Sequence, residues 1–306
     1  MKIAERPILI VIITGILVLV YFFSREKPPT SLLTPKNSLT MDNQPPAVSV
    51  QTEAPEVLIP EEFPLLSAQD PVLVAYVKQR LLQPPAVGDY NLSQPDRKHF
   101  SQYTQSRIAC RLLEGLEKGF FLEAGALDGE DKSNSLYFER ERSWTGLLVE
   151  PDPSLYKTLV SKKRKAFSIN AAFSLANASD VANFVPHRGL GHLVPKGHKG
   201  IPVKTVPIAT LLRALDVSQI DYFSIDIEGA ELKVLATFPW DKVKIRLMCI
   251  EVNHIGIERV NSFMEERGYM YVGKRDIDAW YGWKDLLQET INVEEYPKEL
   301  APLCND

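Results

Sequence analysis

The sequence predicts an α/β fold built on an open parallel sheet. Three apolar segments are typical of buried strands, and a carboxylate stands at the carboxyl end of each, namely Glu123, Glu150 and Asp226. Helical stretches separate the three segments, which suits parallel strands because they cannot be joined by a tight turn. The carboxyl ends of parallel strands meet at one edge of the sheet, where such folds bind ligands. We therefore expect the three acids to lie along a ligand-binding edge.

The loop after the first predicted strand is the most informative segment. It reads FFLEAGALDG over residues 120–129, with Gly125 and Gly129 in the turn. Glycine lets the backbone bend sharply and approach a ligand, while Glu123 offers an acceptor to a polar or cationic group. Glu150 falls close to the offset of about 20 residues at which an acid meets a ribose in nucleotide-binding folds. The loop therefore predicts a nucleotide pocket, although Leu127 stands where a compact dinucleotide motif has its middle glycine.

An amino-terminal helix is predicted before this core. Asp70 is a capping residue followed by Pro71 in the first helical position, and Pro84 ends the helical pattern. An apolar stripe between them predicts packing against the main domain, and a partner-binding face is the alternative. The stripe consists of Val72, Leu73, Tyr76, Val77 and Leu81.

The rest of the chain continues the alternation of helices and strands. Apolar runs and breakers predict helices over residues 101–118, 154–161, 211–215 and 261–267, and strands over residues 166–170, 247–252, 269–272 and 277–281. The glycine-rich insertion over residues 181–199 predicts a flap over the ligand edge. It carries His187, His192 and His198, which we interpret as exposed side chains, with metal binding as the alternative.

Four segments resemble one enzyme family. EAGALDGE, GLLVEPDP, NAAFS and SIDIEGAE are similar to the FkbM family of S-adenosylmethionine-dependent methyltransferases, and the likeness covers about residues 101–274. It implies a Rossmann-like class I methyltransferase sheet whose last two strands form an antiparallel pair, and S-adenosylmethionine as the cofactor. A nicotinamide-binding domain is the alternative. By resemblance, Glu123, Gly125 and Gly129 hold the methionine part of the cofactor, Glu150 holds the ribose, and Asp152 and Asn170 lie near the adenine. The neighbouring Ala126 and Pro151 complete the expected cofactor-binding set.

The same resemblance places the acceptor near the next strand ends. Asp226, Glu228 and His254 are the expected catalytic residues, with Asp226 or His254 as the general base. A second hypothesis is that Asp226 holds a hard divalent cation together with Glu251 and Asn253, since such ions prefer oxygen ligands. A third is that Glu251 satisfies backbone groups and His254 caps a turn. No metal ligand is assigned from the sequence.

The amino terminus predicts a membrane anchor. Residues 7–23, PILIVIITGILVLVYFF, are seventeen residues without a charge. No small-residue cleavage site follows them, so we expect an uncleaved transmembrane helix rather than a signal peptide. The domain order is then a cytosolic tail (residues 1–6), the anchor (7–23), a proline-rich stalk (24–66), a helical lead-in (67–100), the methyltransferase domain (101–290) and a carboxyl-terminal tail (291–306).

Two further features bear on the membrane topology of the chain and on its function. Asn91 and Asn177 begin glycosylation sequons, which indicates a glycoprotein of type II topology with a lumenal carboxyl-terminal domain. The layout resembles the Star family, and YFERERSWTGLLVEPDPSLY and YFSIDIEGAELKVL carry that likeness. It implies the endoplasmic reticulum and Golgi, and also endosomes, as locations and a membrane-bound growth-factor precursor as cargo. Two functions therefore compete, a membrane-tethered methyltransferase of a glycan or lipid hydroxyl and a non-catalytic cargo escort.

Composition excludes some other classes. The 306 residues are 45% hydrophobic, enough for one sizeable α/β core, and the net charge of −4 does not favour a nucleic-acid partner. We interpret the basic run over residues 162–165 as a solvated helix end. The cysteines are too far apart for a C-x-x-C metal site, so Cys249 is predicted to be buried in the core, and pairing of Cys110 with Cys304 is a possibility.

Overall fold

The computed structural model describes residues 60–187, 189–195 and 197–283, together with Leu58, Val293 and Cys304, all in the compact unit Pro55–Asp306. The predicted membrane anchor over residues 7–23 lies outside the described residues, as do most of the stalk and most of the carboxyl-terminal tail. Among the helices that the structure describes, none combines the length and apolarity needed to cross a bilayer.

The described part of the chain contains a seven-stranded sheet whose strands are mostly parallel. Its strands in chain order are β1 (Phe120–Ala124), β2 (Thr145–Val149), β3 (Phe167–Ile169), β8 (Gln219–Ile225), β9 (Lys244–Glu251), β10 (Tyr269–Arg275) and β11 (Asp278–Trp283), and the numbers β4 to β7 belong to a second sheet. The spatial order is β10-β11-β9-β8-β1-β2-β3, and β11 runs antiparallel to both of its neighbours. The predicted α/β class is confirmed, with a mixed sheet. The strand order reverses between β1 and β8, which is where folds of this kind bind ligands.

Helices cover both faces of this sheet. They are α1 (Pro71–Tyr76), α2 (Gln105–Leu112), α3 (Leu136–Glu141), α4 (Pro153–Ser161), α5 (Ile208–Ala214), α6 (Glu231–Ala236) and α7 (Ile257–Glu265). Neighbouring residues of a strand point to opposite faces, so Phe121 and Tyr222 pack with α2, α3 and α4, while Leu122 and Phe223 pack with the other helices. Burial on both faces explains why these strands read as continuous apolar runs.

The amino-terminal lead-in is part of the same core. The Asp70 carboxylate accepts a hydrogen bond from the Val72 N–H at 2.8 Å, and α1 continues into a wider π-helical turn, Val77–Leu81. The apolar stripe packs against the main domain as predicted, with Leu73 and Val77 fully buried. Farther along the chain, the backbone of Gln83 exchanges two hydrogen bonds with that of Ser168 in β3. The lead-in therefore covers the edge strand that the sheet leaves open on this side.

One predicted helix is shorter than expected, and two short helices were not predicted. The helix expected over residues 101–118 is only α2, because Thr104 before it and Glu114 after it have positive φ angles that a helix cannot contain. Both α3 and α6 were missed, since six residues are too few to show helical periodicity.

The segment predicted as a glycine-rich flap is an antiparallel ribbon within a second sheet. That sheet consists of β4 (Ala172–Phe173), β5 (Asp180–Val185), β6 (His192–Val194) and β7 (Ile201–Val206), in the order β4-β7-β5-β6. The register pairs Phe184 with Leu193 across β5 and β6. Strand pairing therefore holds the segment in place.

The predictions about the cysteines and about the basic run after α4 had different outcomes. Cys110 of α2 forms a disulfide with Cys304, and Cys249 is a buried free thiol in β9 as predicted. The basic run after α4 is not a solvated helix end, because Lys162 and Arg164 are buried and form ion pairs with Glu130 and Glu139.

Candidate functional site

A cavity of about 270 Å³ opens at the carboxyl edge of the main sheet, beside the point where the strand order reverses. The loop after β1 and the ends of β2, β8 and β9 form its floor, and the turn between β5 and β6 lies over it with His187 and His192 in its lining. Of the expected site residues, those in the lining are Glu123, Gly125, Glu150, Pro151, Asp152, Asp226, Glu228 and His254. The topology therefore gathers most of the residues that the sequence singled out.

Gly125 holds the loop against two neighbouring strands. Its φ angle is +80°, and a Cβ atom at this position would collide with the main-chain oxygen of Asp226 at the end of β8. Its N–H donates to the Val149 carbonyl oxygen of β2 at 3.1 Å. Glycine is thus required here by the approach of the backbone of β8 as well as by the turn.

Glu123 lies on the cavity floor, but its carboxylate is bonded to the protein. The Ser133 hydroxyl donates to it at 3.0 Å, the Asn134 N–H donates at 2.6 Å, and the Ser135 hydroxyl donates as well. Burial raises the pKa of Glu123, and the Arg164 guanidinium partly offsets that effect. The structure therefore uses this acid to order the loop that leads into α3.

Arg164 completes a buried network around that loop. Its guanidinium pairs with Glu139 of α3 at 3.0 Å and donates to the Ser135 hydroxyl at 3.0 Å. It also donates to the Gly129 carbonyl oxygen and, at 3.3 Å, to the Ser133 hydroxyl. The side chains of Arg164 and Glu139 are 2% and 0% exposed, so each depends on the other to neutralise its charge.

Glu150, the second of the acids predicted to face a ligand, is held by two backbone N–H groups. One carboxylate oxygen accepts the Leu127 N–H and the other accepts the Asp152 N–H, both at 2.8 Å. Burial raises the pKa of Glu150 to about 8, although the two N–H groups favour the charged form. Each oxygen keeps a lone pair, so the group can still accept hydrogen bonds from a ligand.

Three residues expected around the cofactor lie behind the cavity wall. Asn170 donates to the Glu150 carbonyl oxygen at 2.8 Å and to that of Pro151 at 3.1 Å, which braces the turn after β2. Ala126 is buried in the core, and a Cβ at Gly129 would press against Leu159 of α4. These three residues support the wall of the cavity but do not line it.

The expected catalytic residues converge at the ends of β8 and β9. His254 Nε2 lies 2.9 Å from a Glu228 carboxylate oxygen and 3.5 Å from a Glu251 carboxylate oxygen. Burial and the neighbouring Glu228 raise the pKa of Asp226 to about 6. Burial, Asp226 and Glu228 raise the pKa of Glu251 to about 9. The structure thus concentrates negative charge at this end of the cavity. Asn253 also reaches the lining.

Several residues of the site were not singled out from the sequence. Asn134 lines the cavity and donates to the Ser224 hydroxyl at 2.9 Å, and Lys132 lines it as well. Deeper, Gln105 donates to the buried Asp278 carboxylate at 2.8 Å, and burial raises the pKa of Asp278 to about 7. The polar cluster KSNS after the glycine loop was the available signal for Asn134 and Lys132.

Comparisons with known proteins indicate what this region is similar to. Residues 123–271 match the family model described as "Methyltransferase FkbM domain". No curated protein matches the chain. Among solved structures, precorrin-6y C5,15-methyltransferase from Geobacter metallireducens GS-15 is similar at 12% identity, covering 66% of this chain and 100% of that one with a TM-score of 0.34. The family match supports a general methyltransferase and spans the strands that form the cavity floor.

The Arg164 network yields a prediction about stability. Arg164→Ala leaves the buried carboxyl groups of Glu139 and Glu123 without their cation, which should lower the free energy of unfolding by about 3–5 kcal/mol. Denaturant unfolding of the full-length protein measures this loss. Lys163→Ala, which removes an exposed charge next in sequence, is the control and should change stability by less than about 0.5 kcal/mol. Equal losses in the two variants would contradict a special role for the network.

Asp278 yields a prediction about pH. Its folded pKa of about 7 lies above its ordinary value of 3.8, so the folded protein keeps a proton that the unfolded chain releases as pH rises from about 4 to about 7. Stability from this group is therefore complete below pH 4 and lost by pH 7. Asp278→Asn retains an acceptor for Gln105, and its melting temperature should fall less between pH 5 and pH 8 than that of the wild type. Asp241→Asn, at an exposed position, is the control and should keep the wild-type slope.

Proposed function

We propose that this chain is a membrane-tethered, S-adenosylmethionine-dependent methyltransferase that acts on a hydroxyl group of a glycan or lipid. The observation that carries the proposal is the shared cavity. It joins the nucleotide edge at Gly125 and Glu150 to the carboxylates at Asp226 and Glu228. A cofactor on the first side and an acceptor on the second would meet within one enclosed space.

The residues present fit the cofactor. S-adenosylmethionine has a cationic sulfonium and ammonium group, a ribose diol and an adenine ring, and the cavity lining is rich in carboxylates. Glu150 retains lone pairs for the ribose hydroxyls, and Val149, Pro151 and Leu155 offer an apolar surface for the ring. Asn134 Oδ1 is buried without a hydrogen-bond partner among the described residues, so it is available to an ammonium group.

The chemistry then divides between cofactor and chain. When bound, S-adenosylmethionine supplies a methyl group on a sulfonium, a centre that already carries a good leaving group. The protein must therefore hold the acceptor oxygen in line and take its proton. We assign that proton to the carboxylate of Asp226, which lines the cavity after β8, and the orientation of the acceptor to Glu228 and His254, which line the cavity and contact each other. Gln102, Tyr103 and Asn253 add polar groups to the lining, which suits a polyhydroxylated acceptor.

A lumenal location is the second part of the proposal. The disulfide between Cys110 and Cys304 favours an oxidising compartment, because such bonds are rare in the cytosol. Asn91 and Asn177, which begin the two sequons, are both exposed and accessible to glycosylation. With the anchor predicted over residues 7–23, these features support type II topology in the endoplasmic reticulum or Golgi.

The enzymatic part is tested by separating binding from turnover. Isothermal titration of the full-length protein in detergent with S-adenosylmethionine should show one site, and Glu150→Gln should weaken it because an acceptor is lost. Asp226→Asn should still bind the cofactor but transfer labelled methyl to Golgi glycans and glycolipids at least about 100-fold more slowly. Asp241→Asn is the control and should leave both unchanged. A folded wild-type protein that gives neither heat nor a melting shift would leave the cargo-escort function as the better explanation.

The location is tested by glycosylation. Expressed in cells with a secretory pathway, the protein should lose mass on treatment with an N-glycosidase. The double variant Asn91→Gln and Asn177→Gln should migrate at the deglycosylated position before treatment. Wild-type protein whose mobility the glycosidase does not alter would count against a lumenal domain.

A further inference from the structure

We propose that Glu228, Glu251 and His254 bind one divalent transition-metal cation, of the Mn²⁺ or Zn²⁺ class, at the mouth of the cavity. Each residue offers one ligand atom, and the three atoms lie within 4.8 Å of one another. Glu251 ends β9, His254 follows it in the next turn, and Glu228 stands in the loop after β8. Strand pairing between β8 and β9 therefore sets the distance between the ligands.

The distances within the cluster suit a shared ion. His254 Nε2 lies 2.9 Å from the Glu228 oxygen and 3.5 Å from the Glu251 oxygen. Bonds of about 2.0–2.2 Å to a common ion place adjacent ligand atoms roughly 3.0–3.5 Å apart. An ion could thus be held once the Glu228 and Glu251 oxygens, which lie within 4.8 Å of each other, close on it. A protonated His254 that bridges the two carboxylates is the competing explanation.

An independent observation favours the ion. The Glu251 side chain is 4% exposed and lines the cavity. Its Oε2 atom accepts no hydrogen bond among the described residues, and its carboxyl group lies within hydrogen-bond range of the carboxyl of Asp226. Buried polar atoms without a partner are rare in folded proteins, and an unseen ion is one of the few physical reasons for them. A bridging His254 would bond Oε1 and leave Oε2 unsatisfied, whereas an ion bound by both oxygens would satisfy each of them and replace the proton that Glu251 and Asp226 otherwise share.

The surrounding charges point the same way. Asp226 adds a third carboxyl group beside Glu228 and Glu251, whereas the lysine in the cavity lining, Lys132, is exposed. Carboxylates at such short range repel one another, so the three groups can all be ionised together only when a cation offsets that repulsion. The cluster is therefore better balanced with a divalent ion than without one.

The ligand set determines the class of metal. Two carboxylate oxygens and one imidazole nitrogen suit Mn²⁺ or Zn²⁺, whereas Mg²⁺ prefers oxygen ligands alone. The His254 side chain is 51% exposed, so the site faces the cavity and keeps positions open for water or an acceptor. If the proposed function holds, an acceptor hydroxyl bound there would lose its proton to Asp226 more readily, because a bound metal lowers the pKa of a hydroxyl.

The experiment measures cation binding directly, apart from methyl transfer. Full-length protein in detergent is stripped with EDTA and titrated with MnCl₂ by calorimetry and electron paramagnetic resonance, then with ZnCl₂ and MgCl₂. We expect one Mn²⁺ or Zn²⁺ per chain and weaker binding of Mg²⁺. Glu251→Gln and His254→Ala should each weaken binding at least about 10-fold, the lower end of what changes around metal ligands produce.

Matched variants and a second titration make the outcome decisive. His198→Ala and Glu258→Gln change exposed residues of the same types outside the cluster and should bind like the wild type. Unchanged binding in His254→Ala, whose side chain is too exposed to endanger folding, would overturn the proposal, as would a folded wild type that binds neither ion. Titration of metal-free protein with S-adenosylmethionine separates the two proposals. Cofactor binding without cation binding removes the metal site alone, and the reverse removes the methyltransferase alone.

Discussion

The geometry of the site depends on one buried charge network, in which Arg164 faces Glu139 and the hydroxyls that bind Glu123. None of these groups reaches solvent, so each charge is tolerable only because its partner is present. The network joins the end of β1, the start of α3 and the segment between α4 and β3, in which Arg164 lies. It thereby determines the path of the loop between Gly125 and Ser135, and that loop forms one wall of the cavity.

A second constraint is the close contact between the loop after β1 and the end of β8, two neighbouring parts of the cavity wall. The backbone at Gly125 approaches the carbonyl of Asp226 so closely that no side chain fits between them. Glu150 then fastens the same loop through the Leu127 N–H. A change at the glycine should therefore move the ends of β1, β2 and β8 together, because the loop contacts all three strands.

The cavity concentrates acids at an energetic cost. Burial raises the pKa of Glu150, Asp226 and Glu251, so each of these carboxyl groups resists ionisation. Such clusters destabilise the fold as pH rises and are typical of sites that bind a cation or move a proton. The sulfonium of the proposed cofactor and the proposed metal ion would both offset this cost.

The sequence by itself determined the strands, the edge at which their acids meet and the Asp70 cap, because apolar runs, chain direction and caps are local properties. It did not determine which acids face a ligand. Glu123 was expected to bind one and does line the cavity, but it also accepts hydrogen bonds from residues about ten positions later, which the sequence did not indicate. Likewise, the basic run at Arg164 was expected in solvent, and the pairing of Gln105 with Asp278 spans 173 residues. Tertiary packing decides which groups come within hydrogen-bond range of a buried polar side chain. These partners can be far away in sequence, so no local sequence pattern predicts them.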